Sequence, residues 1–130
     1  MPCGGGPAPP PPSGCTATNG TDVSIPDAGA AVTSSITIAG CGRAASSTST
    51  STVAVSIVHT YRGDLRIDLV APDGSTYSLK RTSRSDGADN VNTTYTVNLS
   101  SEAANGTWRL RVQDVYRQDT GHLDSWTLTV

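Results

Sequence analysis

The chain has 130 residues and a formal net charge of −2, and charged side chains make up 15% of the sequence. This length suits one domain that can bury a sizeable core. The slightly negative charge argues against nucleic-acid binding, which requires a basic face. No apolar run approaches the roughly 20 residues of a membrane-spanning helix, so we expect no membrane partner.

The first 14 residues form a Pro/Gly-rich stretch that holds six of the eight prolines. Such a composition buries little apolar area and is typical of an extended linker. We therefore divide the chain into a linker, residues 1–14, and one folded domain, residues 15–130. A linker in this position predicts a further domain upstream of it.

The folded part begins with two segments of alternating polarity. Val23 and Ile25 alternate in a short segment that Pro26 ends, and a longer alternating segment covers residues 32–38. Alternation with a period of two is the pattern of a half-buried strand. The polar stretch 44–51 that follows predicts a surface loop.

The clearest strand pattern lies at the centre of the chain. An apolar segment covers residues 53–58, and 75–80 reads as another strand. Between them, apolar and charged side chains fall on opposite faces: Leu65, Ile67, Leu69 and Ala71 against Asp64, Arg66 and Asp68. The sequence Pro72-Asp73-Gly74 has turn chemistry. We predict a meander of three neighbouring strands, with residues 59–63 linking the first two.

The C-terminal half contains a long polar loop, residues 81–92, and three more alternating segments. Tyr95 lies in the first of them, Trp108 in the second and Trp126 in the third. Both tryptophans are in phase with aliphatic residues, so we expect them in the core. The chain as a whole predicts an all-β jelly roll or β-sandwich of about eight antiparallel strands.

Three cysteines, Cys3, Cys15 and Cys41, fit no zinc or redox motif. The simplest interpretation is one disulfide, Cys15–Cys41, and one odd thiol. Small Ser/Thr-rich β domains are commonly secreted, which favours an oxidised pair. Three reduced, inert thiols are the alternative.

Catalytic chemistry finds little support in the sequence. His59 and Asp64 could be combined with a serine as a triad, but no nucleophile elbow or other catalytic motif is present. We expect His59 to hydrogen-bond its neighbours at a strand end. Asp64 follows Gly63 at a strand start, where its carboxylate can accept backbone N–H bonds. The tripeptide Arg62-Gly63-Asp64 resembles an integrin ligand, yet its position favours a structural role.

Three carboxylates could meet at one end of the domain. Asp27 ends the first short strand, Asp114 ends the strand with Trp108, and Asp119 follows in the next loop. The first and last strands of a jelly roll tend to lie close together. These residues therefore predict a Ca²⁺ site, because calcium prefers carboxylate and carbonyl oxygens. The alternative is that each Asp forms its own turn and Arg117 neutralises the group.

Four stretches together resemble one family, the P domain (P/Homo B domain) of proprotein convertases and secreted bacterial proteases. They are Ile25-Pro26-Asp27, HTYRGDLRIDLVAPDG from residue 59, GTWRLRVQD from residue 106 and DTGHLDSWTLTV from residue 119. These stretches span nearly the whole folded region. The Pro/Gly linker and the short loops favour the bacterial branch.

The resemblance implies a non-catalytic jelly roll that lies C-terminal to a peptidase domain, most often a subtilisin-like or trypsin-like serine endopeptidase and sometimes a secreted metallopeptidase. It implies a secreted protein, in which the domain assists folding, stability or the binding of protein substrates. Some bacterial members bind Ca²⁺, and Asp27, Asp114 and Asp119 are the positions matched here. His59, Gly63 and the tryptophans belong to the structural motif, and no catalytic residue is carried over.

A carbohydrate-binding module of an extracellular hydrolase is the alternative function. Jelly rolls on Pro-rich linkers often have that role, and sugar binding requires an exposed aromatic platform. The two tryptophans alternate in step with aliphatic core residues, so they are not candidates for an exposed sugar-binding platform. The tyrosines Tyr61, Tyr77 and Tyr116 remain.

Overall fold

The computed structural model describes residues 15–41, 50–117 and 120–130. In this part the chain forms nine strands and one 3₁₀ helix, Arg62–Asp64. The strands are β1 (Thr16–Asn19), β2 (Val23–Ile25), β3 (Val32–Ile38), β4 (Ser51–His59), β5 (Leu65–Val70), β6 (Thr76–Lys80), β7 (Val91–Val97), β8 (Gly106–Asp114) and β9 (Gly121–Thr129). The predicted linker, residues 1–14, and most of the loop at 44–51 lie outside the described residues. No helix in the described ranges is long and apolar enough to cross a membrane.

The strands form two antiparallel sheets that face each other. Sheet A has the order β1–β9–β4–β7, with β2 also pairing with β9, and sheet B has the order β3–β8–β5–β6. The first described strand therefore lies beside the last one. This arrangement confirms the predicted all-β sandwich of antiparallel strands.

The core lies between the sheets and is built from alternate residues of the strands. In β3, for example, Ser34, Ile36 and Ile38 are buried while the residues between them are exposed. The structure buries Trp108 and Trp126, which are 0% and 1% exposed. Their indole N–H groups also have partners inside, the Ala104 carbonyl at 3.0 Å and the Ser34 hydroxyl at 2.9 Å. Both tryptophans thus combine a large apolar contact area with a satisfied polar group.

The predicted central meander is only half correct. β5 and β6 are paired through the turn at Pro72-Asp73-Gly74, but β4 and β5 lie in different sheets. The segment that links them crosses from sheet A to sheet B. Alternation shows that a strand buries one face, and it does not say which sheet supplies the other side of the core. Here the partners of β4 are β7 and β9, which are distant in sequence.

One strand escaped the sequence analysis. β1 has a single aliphatic residue, Ala17, so it offers no apolar alternation. Its pairing with β9 includes contacts between threonine side chains: the Thr16 and Thr129 hydroxyl oxygens lie 3.0 Å apart, and those of Thr18 and Thr127 lie 2.7 Å apart. Such cross-strand hydroxyl pairs support a strand that lacks hydrophobic residues.

A disulfide joins Cys15 to Cys41, with the two Cα atoms 4.7 Å apart. It connects the residue before β1, in sheet A, to the segment that follows β3, in sheet B. Both cysteines are buried. The structure thus contains the pair that the sequence favoured, and Cys3 lies outside the described residues.

Candidate functional site

Polar groups are buried at the end of the sandwich where β4 and β8 finish. His59 is the last residue of β4 and Asp114 is the last residue of β8. The imidazole Nε2 lies 3.0 Å from the Asp114 Oδ2 atom, and neither side chain is exposed to solvent. The sequence analysis considered Asp64 as the carboxylate partner of this histidine. The structure instead places Asp114 against it.

Both nitrogens of the His59 ring are occupied by protein groups. The backbone N–H of Tyr61 donates to Nδ1 at 3.1 Å, so Nδ1 carries no proton in this arrangement. Nε2 therefore holds the ring proton and donates it to the Asp114 carboxylate. The other carboxylate oxygen of Asp114 accepts the N–H of Tyr116 at 3.2 Å. An enclosed imidazole with both nitrogens engaged cannot take a proton from a substrate, so the pair is structural.

Gly63 allows the 3₁₀ helix to pack closely against the polar loop at 81–90. Its N–H donates to the Asp86 carbonyl at 3.0 Å, and its own carbonyl accepts the Ser83 N–H at 2.8 Å. A Cβ at this position would lie 2.0 Å from the Ser83 carbonyl oxygen and 2.5 Å from that of Asp86. Both obstacles are backbone atoms that cannot easily move, so this position requires glycine.

The flanking residues of the Arg62-Gly63-Asp64 tripeptide are also engaged within the domain. The Arg62 Nε atom donates to both carboxylate oxygens of Asp86, at 3.0 Å and 2.9 Å. This bond from Arg62 lowers the pKa of Asp86 below its usual value of 3.8. Asp64 is 6% exposed, and its carbonyl accepts the N–H of Val115 at 2.9 Å. With the acidic side chain buried, the tripeptide does not present an integrin-type surface.

The three tyrosines that could have bound sugar are each held by another residue. The Tyr61 hydroxyl donates to the Arg84 carbonyl, and the Arg84 guanidinium lies 5.3 Å from the Tyr116 ring centre. The Tyr77 hydroxyl donates to Glu102, which raises the pKa of Tyr77. All three side chains are half-buried. They do not form a shared exposed platform, which removes the main support for a carbohydrate-binding module.

The structure describes two of the three carboxylates predicted to bind calcium. Asp114 is fully buried against His59, whereas Asp27 lies on the surface directly after β2. Asp119 lies outside the described residues. Pairing of β1 with β9 does bring the first and last described strands together, but Asp114 faces the interior. Calcium binding therefore stays a prediction, and a site that used Asp114 would have to draw it away from its histidine.

Two buried carboxylates were missed by the sequence analysis. Asp68 is 2% exposed although it lies on the outer face of β5, because arginines cover it: Arg111 at 3.1 Å and Arg66 at 3.4 Å. Glu102 is 5% exposed and accepts the Tyr77 hydroxyl bond. The one sequence signal for the contact between Asp68 and Arg111 was the alternation of arginines along β8, because cross-strand neighbours of opposite charge attract each other.

Comparisons with known proteins agree with the resemblance of the motifs. The sequence model of the proprotein convertase P-domain family matches residues 48–130. The chain is 55% identical over 111 residues to a transglutaminase-activating metalloprotease of Streptomyces mobaraensis, covering 85% of this chain and 14% of that protein. It is 52% identical over 122 residues to leupeptin-inactivating enzyme 1 of Streptomyces exfoliatus, covering 92% of this chain and 27% of the enzyme.

The fold also matches solved structures. A crystal structure of the Aeromonas sobria serine protease in complex with a chaperone aligns with a TM-score of 0.64 and 24% identity, covering 96% of this chain and 27% of that one. The chain thus spans about a seventh to a quarter of the relatives that it matches. By sequence motifs, family match and sandwich topology, the chain belongs to the proprotein convertase P-domain family.

Proposed function

We propose that this chain is the non-catalytic accessory domain of a secreted bacterial peptidase whose catalytic domain lies upstream of the Pro/Gly linker. The family match carries the proposal, together with the identity of more than half to two Streptomyces proteins, one of them named as a metalloprotease. The enclosed histidine agrees with it, since His59 serves the fold. The Cys15–Cys41 disulfide supports an extracellular location, because disulfides persist in oxidising compartments.

The class of the peptidase is a second part of the proposal. A serine endopeptidase is the expectation from the family resemblance, and the Aeromonas structures are serine proteases. A relative with 55% identity, however, is named a metalloprotease, which supports a metallopeptidase as the catalytic domain attached to this chain. Inhibition of the full-length protein by a zinc chelator but not by a serine-directed reagent is the expected result. Inhibition by the serine-directed reagent but not by the chelator would instead show that the attached catalytic domain is a serine endopeptidase.

The end of the sandwich near His59 is our candidate for the contact with the catalytic domain. Val58 and Val115, 47% and 41% exposed, are the exposed large hydrophobic residues of the described part. One precedes His59 and the other follows Asp114, so both flank the buried pair. Val58 lies in sheet A and Val115 follows a strand of sheet B, so a domain docked there would contact the ends of both sheets. Docking there would let the domain support folding or stability of its peptidase.

Point variants in the full-length protein test this contact. We expect Val58→Asp and Val115→Asp to lower the heat resistance of the peptidase while the isolated domain melts as before. Thr96→Asp, on the exposed side of β7, is the matched control and should change neither property. Equal heat resistance in all three variants would contradict docking at this end.

Calcium binding through Asp27, Asp114 and Asp119 is a further part of the proposal, supported by the sequence alone. Bound Ca²⁺ would stabilise the folded domain by mass action. The melting temperature of the isolated chain in millimolar Ca²⁺ and in EDTA measures this directly. A higher value with Ca²⁺ is expected, and equal values would leave only the turn-forming role.

A further inference from the structure

Two carboxylates and an imidazole come together on the outer side of sheet A, where His122 of β9 lies opposite Val58 of β4. One potential ligand atom each from Asp22, His122 and Asp124 lies within 4.8 Å of the others. We propose that these three side chains bind a divalent transition-metal ion of the Zn²⁺ type. The site uses neither His59 nor the residues of the predicted calcium site, and it does not depend on the proposed function.

The sheet itself brings the three side chains together. Leu123 is buried in the core, so its neighbours along β9, His122 and Asp124, both point to the outer face. Val23 of β2 pairs with Leu123. Asp22, the residue immediately before β2, therefore lies next to this pair, in the connection between β1 and β2. His122 and Asp124 thus lie within β9, and Asp22 comes from the loop residue next to the β2–β9 ladder.

The electrostatics of this patch favour a cation. Like charges that lie close together on neighbouring segments of a sheet are destabilising, and carboxylate oxygens of Asp22 and Asp124 lie within 4.8 Å of each other. The structure records no hydrogen bond or ion pair between the three side chains and the other described residues. The ring nitrogens of His122 also lie more than 4.0 Å from the oxygens of both carboxylates, which is too far for an ion pair. A metal ion would offset the repulsion that no described Lys or Arg relieves.

The ligand set suits a transition metal better than calcium. Imidazole nitrogen with carboxylate oxygen is typical of Zn²⁺ and its neighbours, whereas Ca²⁺ takes six to eight oxygens. Ligand atoms at about 2.0–2.2 Å from Zn²⁺ lie roughly 3–3.5 Å apart in a tetrahedral site. Asp22 and Asp124 are exposed and can rotate by the remaining ångström. Three protein ligands leave a coordination position for water or for a group from a partner.

A bound ion would clamp β2 onto β9. β2 has only three residues and pairs with β9 at a position off the main path of sheet A. Ligands from β9 and from Asp22, the residue immediately before β2, would join the two strands through the metal. Because the ligands come together only in the folded state, binding should raise the stability of the domain.

The test is a titration of the 130-residue chain with ZnCl₂, followed by calorimetry and thermal unfolding. Cys3→Ser serves as the background, so that the third cysteine cannot contribute a thiolate. We expect saturable 1:1 binding, a rise in melting temperature of several degrees and no comparable effect of Mg²⁺. Co²⁺ should give visible d–d absorption bands, which report coordination directly.

Three variants make the result specific. His122→Ala and Asp124→Asn should each weaken Zn²⁺ binding by more than about tenfold. Asp89→Asn, which removes an exposed carboxylate from another loop, should leave the affinity unchanged. Without metal, Asp124→Asn should melt at the same or a higher temperature, because it removes a like-charge contact.

Two outcomes would overturn the inference. One is a Zn²⁺ response that persists in both ligand variants, which would locate binding elsewhere. The other is the absence of 1:1 binding and of Co²⁺ absorption in the Cys3→Ser chain.

Discussion

At the scale of single residues, the buried polar groups of this domain hold strand ends and loops in place. His59 illustrates this role, since its ring connects the end of β4 to the end of β8 and to the following turn. Its backbone N–H also donates to the Asn90 side chain at 3.0 Å. A histidine and an aspartate at hydrogen-bond distance resemble part of a catalytic triad. Because both side chains are completely buried, this pair is inaccessible to a substrate.

Replacing His59 by Ala should be strongly destabilising. The change leaves the Asp114 carboxylate buried without its imidazole donor, and removing one partner of a buried ionic or hydrogen-bonded pair costs about 3–5 kcal/mol. Equilibrium unfolding in urea measures the loss. His122→Ala in metal-free buffer is the matched control and should cost far less, because that ring lies at the surface. A cost below about 1 kcal/mol for His59→Ala would contradict the structural role.

The contact between Arg62 and Asp86 should make part of the stability depend on pH. The bond from Arg62 lowers the pKa of Asp86 in the folded state below 3.8. The unfolded chain therefore binds more protons at acid pH, and the contribution is present above 3.8 and lost as the pH falls through the lowered value. Asp86→Asn should flatten this acid limb in urea unfolding between about pH 2 and pH 6. An acid limb of unchanged slope would exclude the contact as its source, with Asp89→Asn as the control.

At the scale of elements, alternation was enough to locate most strands but not to pair them. β3, β5 and β8 each present a period of two, β9 does so from Trp126 onward, and the turn at Pro72-Asp73-Gly74 correctly joined β5 to β6. β4 and β5 were wrongly placed side by side, because strand partners are chosen by contacts distant in sequence. β1 was missed since its support comes from threonine pairs rather than from an apolar face.

The functional residues were harder to predict than the strands. Gly63 and His59 could be assigned structural roles from their position beside a strand start and end. The partner of His59 could not, because Asp114 lies 55 residues away. The cluster of Asp22, His122 and Asp124 depends on the pairing of β2 with β9, which no local pattern reveals. Asp68 was expected to be exposed because it alternates with the apolar residues of β5. The structure buries it under the side chains of Arg66, on the same strand, and Arg111, on β8.

The disulfide between the two sheets should contribute substantially to stability. The two cysteines are 26 residues apart in sequence. Closing a loop of this length in the unfolded chain corresponds to about 3–4 kcal/mol in the chain-entropy model. We expect Cys15→Ser/Cys41→Ser to lose about that much in urea unfolding, with Cys3→Ser as the control. A loss below about 1 kcal/mol would mean that the hydrogen bonds between Cys41 and Asn105 suffice to hold the segment.

At the scale of the whole molecule, the domain combines a closed core with an inert interior. Its buried histidine and its buried carboxylates are engaged with neighbouring groups, and the exposed large hydrophobic residues of the described part are Val58 in β4 and Val115 after β8. Such a module can stabilise an attached enzyme without contributing to its chemistry. We therefore expect the domain to affect the ability of the full-length protein to fold and remain folded, and not its catalytic rate.

Refolding of the full-length peptidase with and without the P domain tests the central claim most directly. The measurement is the yield of active enzyme after dilution from denaturant, corrected by active-site titration, together with kcat of the recovered molecules. We predict that deletion of residues 15–130 lowers the yield severalfold and leaves kcat on a small peptide substrate unchanged, while the isolated chain hydrolyses nothing. An unchanged yield, or peptide hydrolysis by the isolated chain, would contradict the account.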